Sequence, residues 1–264
     1  MTTTIDLLRP IIAKYPHYIR QVNGCYGIIV NADSAEFLQH TIELERPLFD
    51  AILTDPPYLF EINNKMPRDA SSVSKIIHKN AANISFISEG FDWRKYFEIF
   101  EKVCYKPRYS IFCSNKQVGD FMVYFQQKKQ HPTLMVWHKK NAIPAINQTY
   151  LPNLEFIVNV RGKGSYFNND LSLKEKSKIF QSCCVQGNQH NKRYHPTQKP
   201  IDILTWQLKS ISKIDSWILD PFAGSSGTAI ASLKLHRNCV CIEKSADFYK
   251  NSIARLQQEI GLYD

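Results

Sequence analysis

Short runs of β-branched and aromatic residues alternate along the chain with amphipathic stretches, which predicts a sheet whose strands are joined by helical crossovers. Seven runs have the length and composition of strands: 26–30, 51–53, 109–113, 134–137, 156–160, 217–219 and 239–242. Between them, apolar residues recur at helical spacing over 34–44, 93–103, 118–128, 201–211, 228–235 and 246–260. Asp92 is placed to cap the helix that starts at Trp93, and Pro200 sits where a first helical residue tolerates a missing N–H. Helix alternating with strand implies an α/β protein with a doubly wound, mostly parallel sheet. No helix intervenes between 134 and 160, so the strand pair there is open to an antiparallel arrangement. At the N-terminus, Ile5, Leu8, Ile12 and Tyr15 are spaced helically across Pro10, a pattern that packing or self-association explains better than chemistry.

Two segments break the repeat. Residues 59–89 are polar, with Asn63-Asn64 and Ser71-Ser72, and residues 161–194 lack periodicity but carry much positive charge. Irregular segments of this length in a compact domain commonly carry function.

At 264 residues, with 44% hydrophobic and 22% charged residues and with 15 Phe, 13 Tyr and 4 Trp, the chain has the composition of one large folded domain, neither disordered nor fibrous. No apolar run approaches the ~18 residues of a membrane span, and the start lacks the basic and then apolar pattern of a signal peptide. A cytoplasmic protein is expected. Cys25, Cys104, Cys113, Cys183, Cys184, Cys239 and Cys241 form an odd set without paired metal-ligand spacing, mostly in apolar runs, so neither a metal site nor a disulfide framework is expected.

The net charge is +9, and its distribution says more than its sum. Between Lys139 and Lys199 there are ten basic residues, including Lys140, Arg161, Lys163, Lys192 and Arg193, against Glu155, Asp170 and Glu175. A concentrated positive field attracts a polyanion, most commonly nucleic acid, or else forms a solvated face; charge alone leaves both open.

Three motifs carry chemistry. The first, Asp220-Pro221-Phe222-Ala223-Gly224-Ser225-Ser226-Gly227-Thr228, follows a strand and opens a helix. A turn of small residues lets backbone approach a ligand, and Glu243 at the end of the next strand can accept hydrogen bonds from both hydroxyls of a ribose. That is the plan of a nucleoside-cofactor site, although a Gly-Ser turn is also a plain tight connection. The second motif is Asp55-Pro56-Pro57-Tyr58, directly after an apolar run. Two prolines have fixed φ and no N–H, so the Asp55 carboxylate and the Pro56 carbonyl are held as two acceptors facing one point. An exocyclic amino group with two N–H donors matches that pair, and the Tyr58 ring can stack on the base that bears it. The bland alternative is a strand that ends in a Pro-Pro turn. The third, His195-Pro196-Thr197-Gln198-Lys199-Pro200, sets a Thr and a Lys beside a helix N-terminus, a natural carboxylate site, while His195 alone reads as structural.

Together and in this order, the motifs resemble the β class of amino-methyltransferases, which transfer methyl from S-adenosylmethionine to adenine N6 or cytosine N4 in DNA. The resemblance covers roughly residues 26–256. It implies a Rossmann-like, circularly permuted seven-stranded sheet, with strands 26–30 and 51–54 lying beyond the C-terminal strands. It implies one catalytic domain over 1–264, with 59–89 a long loop near the target base and 140–194 a target-recognition region. It implies that Asp55 and Pro56, braced by Pro57, bind the target amino group and that Tyr58 stacks on a flipped base. Phe222, Gly224 and Glu243 would hold adenosine within the turn built by Asp220, Ser225 and Ser226. Thr197, Lys199 and Pro200 would line the methionine end, and Asp33 would lie near the adenine. Trp137-His138-Lys139-Lys140 would flank the target base unless Trp137 belongs to the core, and Lys139, Lys140, Arg161, Lys163, Lys192 and Arg193 would contact DNA. The family usually has Gly or Asn where this chain has Ser226, which points to positive φ there. Asp as the first residue of the second motif favours adenine, whereas cytosine enzymes more often have Ser. The alternatives are N4-cytosine methylation and an inactive DNA-binding subunit that keeps the fold. The expected setting is the cytoplasm of a bacterium, or a phage genome, with DNA as partner; a homodimer and a restriction or specificity partner stay open.

Overall fold

The computed structural model describes residues 2–57, 91–142, 150–185 and 193–261. Among them all seven expected strands form, as β2 (Cys25–Asn31), β3 (Ala51–Thr54), β4 (Arg108–Cys113), β5 (His131–Lys139), β6 (Leu154–Arg161), β8 (Trp217–Asp220) and β9 (Asn238–Glu243). Two more, β1 (His17–Val22) and β7 (Ile179–Ser182), extend the sheet to nine strands in the order β1-β2-β9-β8-β3-β4-β6-β5-β7. The seven-stranded expectation is thus corrected at both edges. β1 is joined to β2 by a turn at Asn23-Gly24, whose φ values of 48° and 81° are those a two-residue hairpin demands.

The strand order also corrects the expected placement of the C-terminal pair. β2 pairs with β9 and β3 with β8, so β8 and β9 lie between β2 and β3. The five strands β2, β9, β8, β3 and β4 are mutually parallel, and their C-terminal ends share one edge of the sheet. β6 pairs antiparallel with both β4 and β5, the arrangement the missing helix left open.

Alternation along the strands divides the core into two layers. One face packs Ile28, Val30, Ile52, Tyr109, Ile111, Val240 and Ile242 against α1 (Thr4–Ile12), α2 (Ser34–Ile42), α3 (Trp93–Val103) and α4 (Val118–Gln127). The other packs Ile29, Leu53, Phe112, Ile218, Cys239 and Cys241 against α5 (Ile201–Ile211), α6 (Gly227–Lys234) and α7 (Ala246–Ile260). Asp92 caps α3, accepting from Arg94 N at 3.0 Å. Pro200 is the residue just before α5 rather than its first. α1 carries Pro10 within it, is closed at its start by a Thr3–Asp6 capping box, and buries Ile5, Leu8, Ile11 and Ile12. Among the described residues, no helix is long and apolar enough to cross a membrane.

The first layer is dominated by aromatic rings. Phe97 lies 4.7 Å from Phe125, 4.8 Å from Phe121 and 5.2 Å from Trp93, centroid to centroid. Phe97→Ala therefore opens a cavity bounded by rings that cannot all collapse into it, and should cost about 3–5 kcal/mol in urea unfolding. A loss below about 1 kcal/mol would show that the cluster closes over the gap.

Candidate active site

At the shared C-terminal edge of the parallel strands lies a cleft of about 1070 Å³. Its walls bring together Asp33, Asp55, Pro56, Pro57, Thr197, Lys199, Asp220, Phe222, Gly224, Ser225 and Glu243. Two expected residues stand behind its wall: Pro200 is buried at the start of α5, and Ser226 is buried at the start of α6. Tyr58, Lys192 and the 59–89 segment lie outside the described residues, as do 143–149 and 186–191 of the expected recognition region.

The glycine-containing turn after β8 is held by one carboxylate. Asp220 accepts from Thr54 Oγ1 at 2.9 Å, from Thr228 Oγ1 at 2.6 Å and from Phe222 N at 3.2 Å, tying the end of β3 to the start of α6. Burial pushes its pKa up to about 6 against these donors. Gly224 (φ 53°) faces the His195 ring. Ser226 has φ 52° and ψ 37°, the left-handed region that its departure from the family pattern predicted, and its buried Oγ has no partner among the described residues. At the end of β9, Glu243 accepts from Gly224 N through Oε2 and from Ser245 N through Oε1, each at 2.8 Å. Burial outweighs these donors and, with Asp220 nearby, raises its carboxyl to about 7. Each oxygen keeps a second lone pair for a ligand hydroxyl.

Asp33 caps α2, with Oδ1 accepting from Ala35 N at 3.0 Å and Glu36 N at 3.3 Å and Oδ2 facing Lys244 Nζ at 3.0 Å. Burial alone would raise its carboxyl, but the Lys244 ammonium and the helix N–H groups hold it below the usual range.

The Asp55 side of the cleft departs from expectation. Lys199 Nζ lies 2.5 Å from Asp55 Oδ2 and 2.8 Å from Glu155 Oε1, and Glu155 Oε2 lies 2.7 Å from Lys139 Nζ. Lys199 is thus bonded to the second motif instead of standing free for a ligand carboxylate, and Lys139 faces inward to Glu155. Sequence reasoning missed Glu155, because a lone acid in the polar phase of a half-buried strand looks like an ordinary solvent-facing position. Trp137 is core: it is buried, and its Nε1 donates to Ser182 Oγ at 3.0 Å.

Aromatic rings complete the wall near Glu243. Phe222 meets Tyr96 edge-on at 4.8 Å and Phe91 at 5.3 Å, and Tyr96 Oη lies 2.9 Å from Ser34 Oγ. Neither Phe91 nor Tyr96 was signalled by a motif. Opposite them, His195 packs edge-on to Phe248 at 4.2 Å, and its Nδ1 accepts from Thr197 N at 3.3 Å. Burial and the nearby Lys199 and Arg193 lower its pKa to about 4, so it is neutral at physiological pH.

The basic residues expected at DNA divide between the two edges of the sheet. Lys140, exposed at the end of β5, lies at the cleft edge, and Arg193, exposed, donates through Nε to His195 O at 3.1 Å beside the cleft. Arg161 pairs with Arg108 at the start of β4, so Arg161 and Lys163 lie at the opposite edge. The reversal between β5 and β6 forces this, since β6 runs antiparallel to both β4 and β5, away from the cleft, and ends in Arg161.

A cleft at strand ends, with an acid and a glycine turn on one side and a rigid Asp-Pro-Pro on the other, lies where an open α/β sheet binds its ligands. Residues 49–255 match the DNA methylase family, and the chain belongs to it. It is 23% identical over 261 residues to the Type II methyltransferase M2.LlaDCHI of Lactococcus lactis subsp. cremoris, with 94% of each chain covered. It is 26% identical over 246 residues to M2.MboI of Moraxella bovis, with 87% of each covered. The fold is similar to that of M1.HpyAVI in its SAM complex, with a TM-score of 0.62 at 22% identity over 86% of this chain and 98% of that one. It is also similar to the PvuII DNA methyltransferase, described as cytosine-N4-specific, with a TM-score of 0.59 at 12% identity over 89% and 90%.

Ser226 yields a test of the turn. Glycine at this position removes both the left-handed penalty and the unpartnered hydroxyl, at the expense of chain entropy when unfolded. Ser226→Gly should stabilise by about 1 kcal/mol and raise Tm by about 2–4 °C. An unchanged or lower Tm would mean that the serine Cβ contributes packing that outweighs its strain.

Proposed function

We propose that this DNA methyltransferase transfers a methyl group to the N6 of adenine in DNA, acting on a base rotated out of the duplex. The observation that carries the reading is Asp55: a carboxylate at a strand end inside the cleft, followed by two prolines and anchored by Lys199. The Asp at the head of this motif favours adenine over cytosine. A base in a duplex hides its amino group, so extrusion precedes chemistry.

The residues on the cleft wall fit S-adenosylmethionine. Glu243 offers acceptors to ribose hydroxyls, Phe222 with Tyr96 offers an apolar face to adenine, and the Gly224 turn leaves room for close approach of a ligand. Asp33 stands at the adenine side. Because Lys199 serves Asp55, recognition of the methionine end falls to Thr197 and neighbouring backbone. When bound, S-adenosylmethionine supplies the activated methyl group. The protein's part is to hold the target amine: Asp55 and the Pro56 carbonyl accept from its two N–H groups and raise electron density on the nitrogen as it attacks. Tyr58, next in sequence, is assigned to stacking on the base. Lys140, Arg193 and Lys192 are assigned to the DNA backbone near the cleft, within the 140–194 recognition region. Type II methyltransferase relatives support a role in a bacterial restriction-modification system, in the cytoplasm.

Incubation with S-adenosylmethionine tritiated on its methyl group and DNA, followed by nucleoside chromatography, should place the label in N6-methyl-2′-deoxyadenosine. Label in N4-methylcytosine would move the assignment to cytosine, and no label would mark a binding subunit. Asp55→Ala should lower turnover by at least about a hundredfold while cofactor affinity in calorimetry stays within about threefold. Near-normal turnover would remove Asp55 from the reaction.

Glu243 adds a pH dependence. Its carboxyl is raised to about 7 in the free protein, so it is largely protonated, and a poorer acceptor, below that value. Cofactor affinity should therefore rise about tenfold between about pH 6 and pH 8. Glu243→Gln should flatten that part of the profile. An equally steep profile in the variant would assign the titration to another group.

A further inference from the structure

A second cavity, of about 270 Å³, opens at the opposite edge of the sheet from the cleft. Its floor is a row of three basic residues on adjacent strands: Arg108 on β4 pairs in register with Arg161 on β6, which pairs with His131 on β5. Like charges placed directly opposite in a sheet repel. Lys176 and Lys178 add to the positive lining, and Lys176 Nζ is held by Asn169 O at 2.7 Å.

Arg108 is the unusual member. Only 2% of it is exposed, yet every acceptor it meets among the described residues is neutral. Nη1 donates to Asn159 Oδ1 at 2.7 Å and to Val160 O at 3.4 Å, and Nη2 donates to Ser210 O at 3.1 Å. Its Nε is buried without a partner among the described residues. Burial and the neighbouring Arg161 lower its pKa to about 10, so it stays charged at physiological pH. Among the described residues Glu175 is the one acid on the cavity wall, and it is engaged elsewhere: Oε1 meets Lys209 Nζ at 3.2 Å, and Oε2 accepts from Ser172 Oγ at 2.9 Å and Ser172 N at 3.1 Å. A buried cation without a counterion is costly, and an anion seated in the cavity offsets that cost. Trp206 and Phe167 give the same cavity aromatic surface beside the charge.

We propose that this cavity is a phosphate-binding site, taking a phosphate group carried by a nucleotide or by a nucleic-acid strand. Guanidinium groups match phosphate in geometry, and the aromatic wall suits the attached nucleoside. β6, from Leu154 to Arg161, separates the two edges by about 23 Å at the usual strand rise, so the ligand is distinct from the base held in the cleft. The site does not depend on the methyl-transfer reading, because its occupancy is read with no methyl donor present.

Calorimetry and thermal unfolding with inorganic phosphate, AMP, adenosine and a short single-stranded oligonucleotide test it, with sodium chloride at matched ionic strength as control. Inorganic phosphate and a phosphate-bearing probe should bind and raise Tm. Arg161→Gln together with Lys178→Gln should weaken that binding at least tenfold and abolish the Tm rise. Adenosine binding, which reports on the cleft, should be the same in both proteins. Variant-sensitive binding of AMP assigns a free nucleotide as the source, and such binding of the oligonucleotide without AMP assigns a strand. The double variant should fold at least as stably as the parent in chloride, since it relieves the repulsion on Arg108. No binding at millimolar phosphate, or equal affinity in the double variant, would overturn the site.

Discussion

The buried ammonium of Lys199 is the contact on which the active-site side of the molecule depends. It joins the end of β3 through Asp55, the start of β6 through Glu155 and the segment that leads into α5. Burial alone would lower its pKa, but two carboxylates raise it above the usual lysine range. Glu155 is buried too, and burial would raise it; Lys199 and Lys139 hold it well below the usual carboxylate range instead. The result is a chain of alternating charges, Lys139 to Glu155 to Lys199 to Asp55, in which Glu155 and Lys199 each favour the charged form of the other. Loss of one member of such a chain costs about 3–5 kcal/mol because its partner is left charged and buried. What the chain secures is direction: the Asp55 carboxylate is pinned between its own Pro-Pro backbone and a cation that cannot swing away.

The other side of the cleft follows the opposite electrostatic rule. Asp220 and Glu243 have hydrogen-bond donors but, among the described residues, no ion pair with a lysine, and burial raises both, to about 6 and about 7. Asp220 spends its donors on the protein, fixing the turn; Glu243 sits where a ligand can use it. One side of the cleft is thus backed by a lysine and a carboxylate that favour each other's charged form, and the other holds two carboxyls whose ionisation lies close to neutrality.

How much of this the sequence foretold depends on what each position must satisfy. Most of the seven inner strands are largely buried on both faces and read as apolar runs, and β5, buried chiefly at Trp137, still carries the run from Leu134 to Trp137. β1 and β7 sit at the edges, where His17 and Gln21, or Gln181, meet solvent without penalty, so no run of apolar residues announces them. The cleft residues contributed by three motifs were legible because glycine, proline and acid at strand ends have few other uses. Phe91, Tyr96 and Glu155 were not, since each occupies a place where an aromatic or a charged residue has an ordinary structural role. The division of the basic residues between two edges was hidden for a different reason. Charge counted along the chain ignores strand direction, and β6 carries Arg161 away from the end at which Leu154 begins.

The position of β8 and β9 has a bearing on how the molecule is made. They are the last strands to leave the ribosome, yet they form the middle of the sheet and supply the neighbours of both β2 and β3. Until about residue 243 has emerged, β2 has only the β1 hairpin to pair with, and β3 lacks the partner on one of its sides. Pairings so distant in sequence form slowly, and the apolar faces of β2 and β3 wait exposed meanwhile. Most of the chain must therefore be synthesised before the central sheet closes, and the β8 end that carries Asp220 and the β9 end that carries Glu243 are set in place by that same closing step.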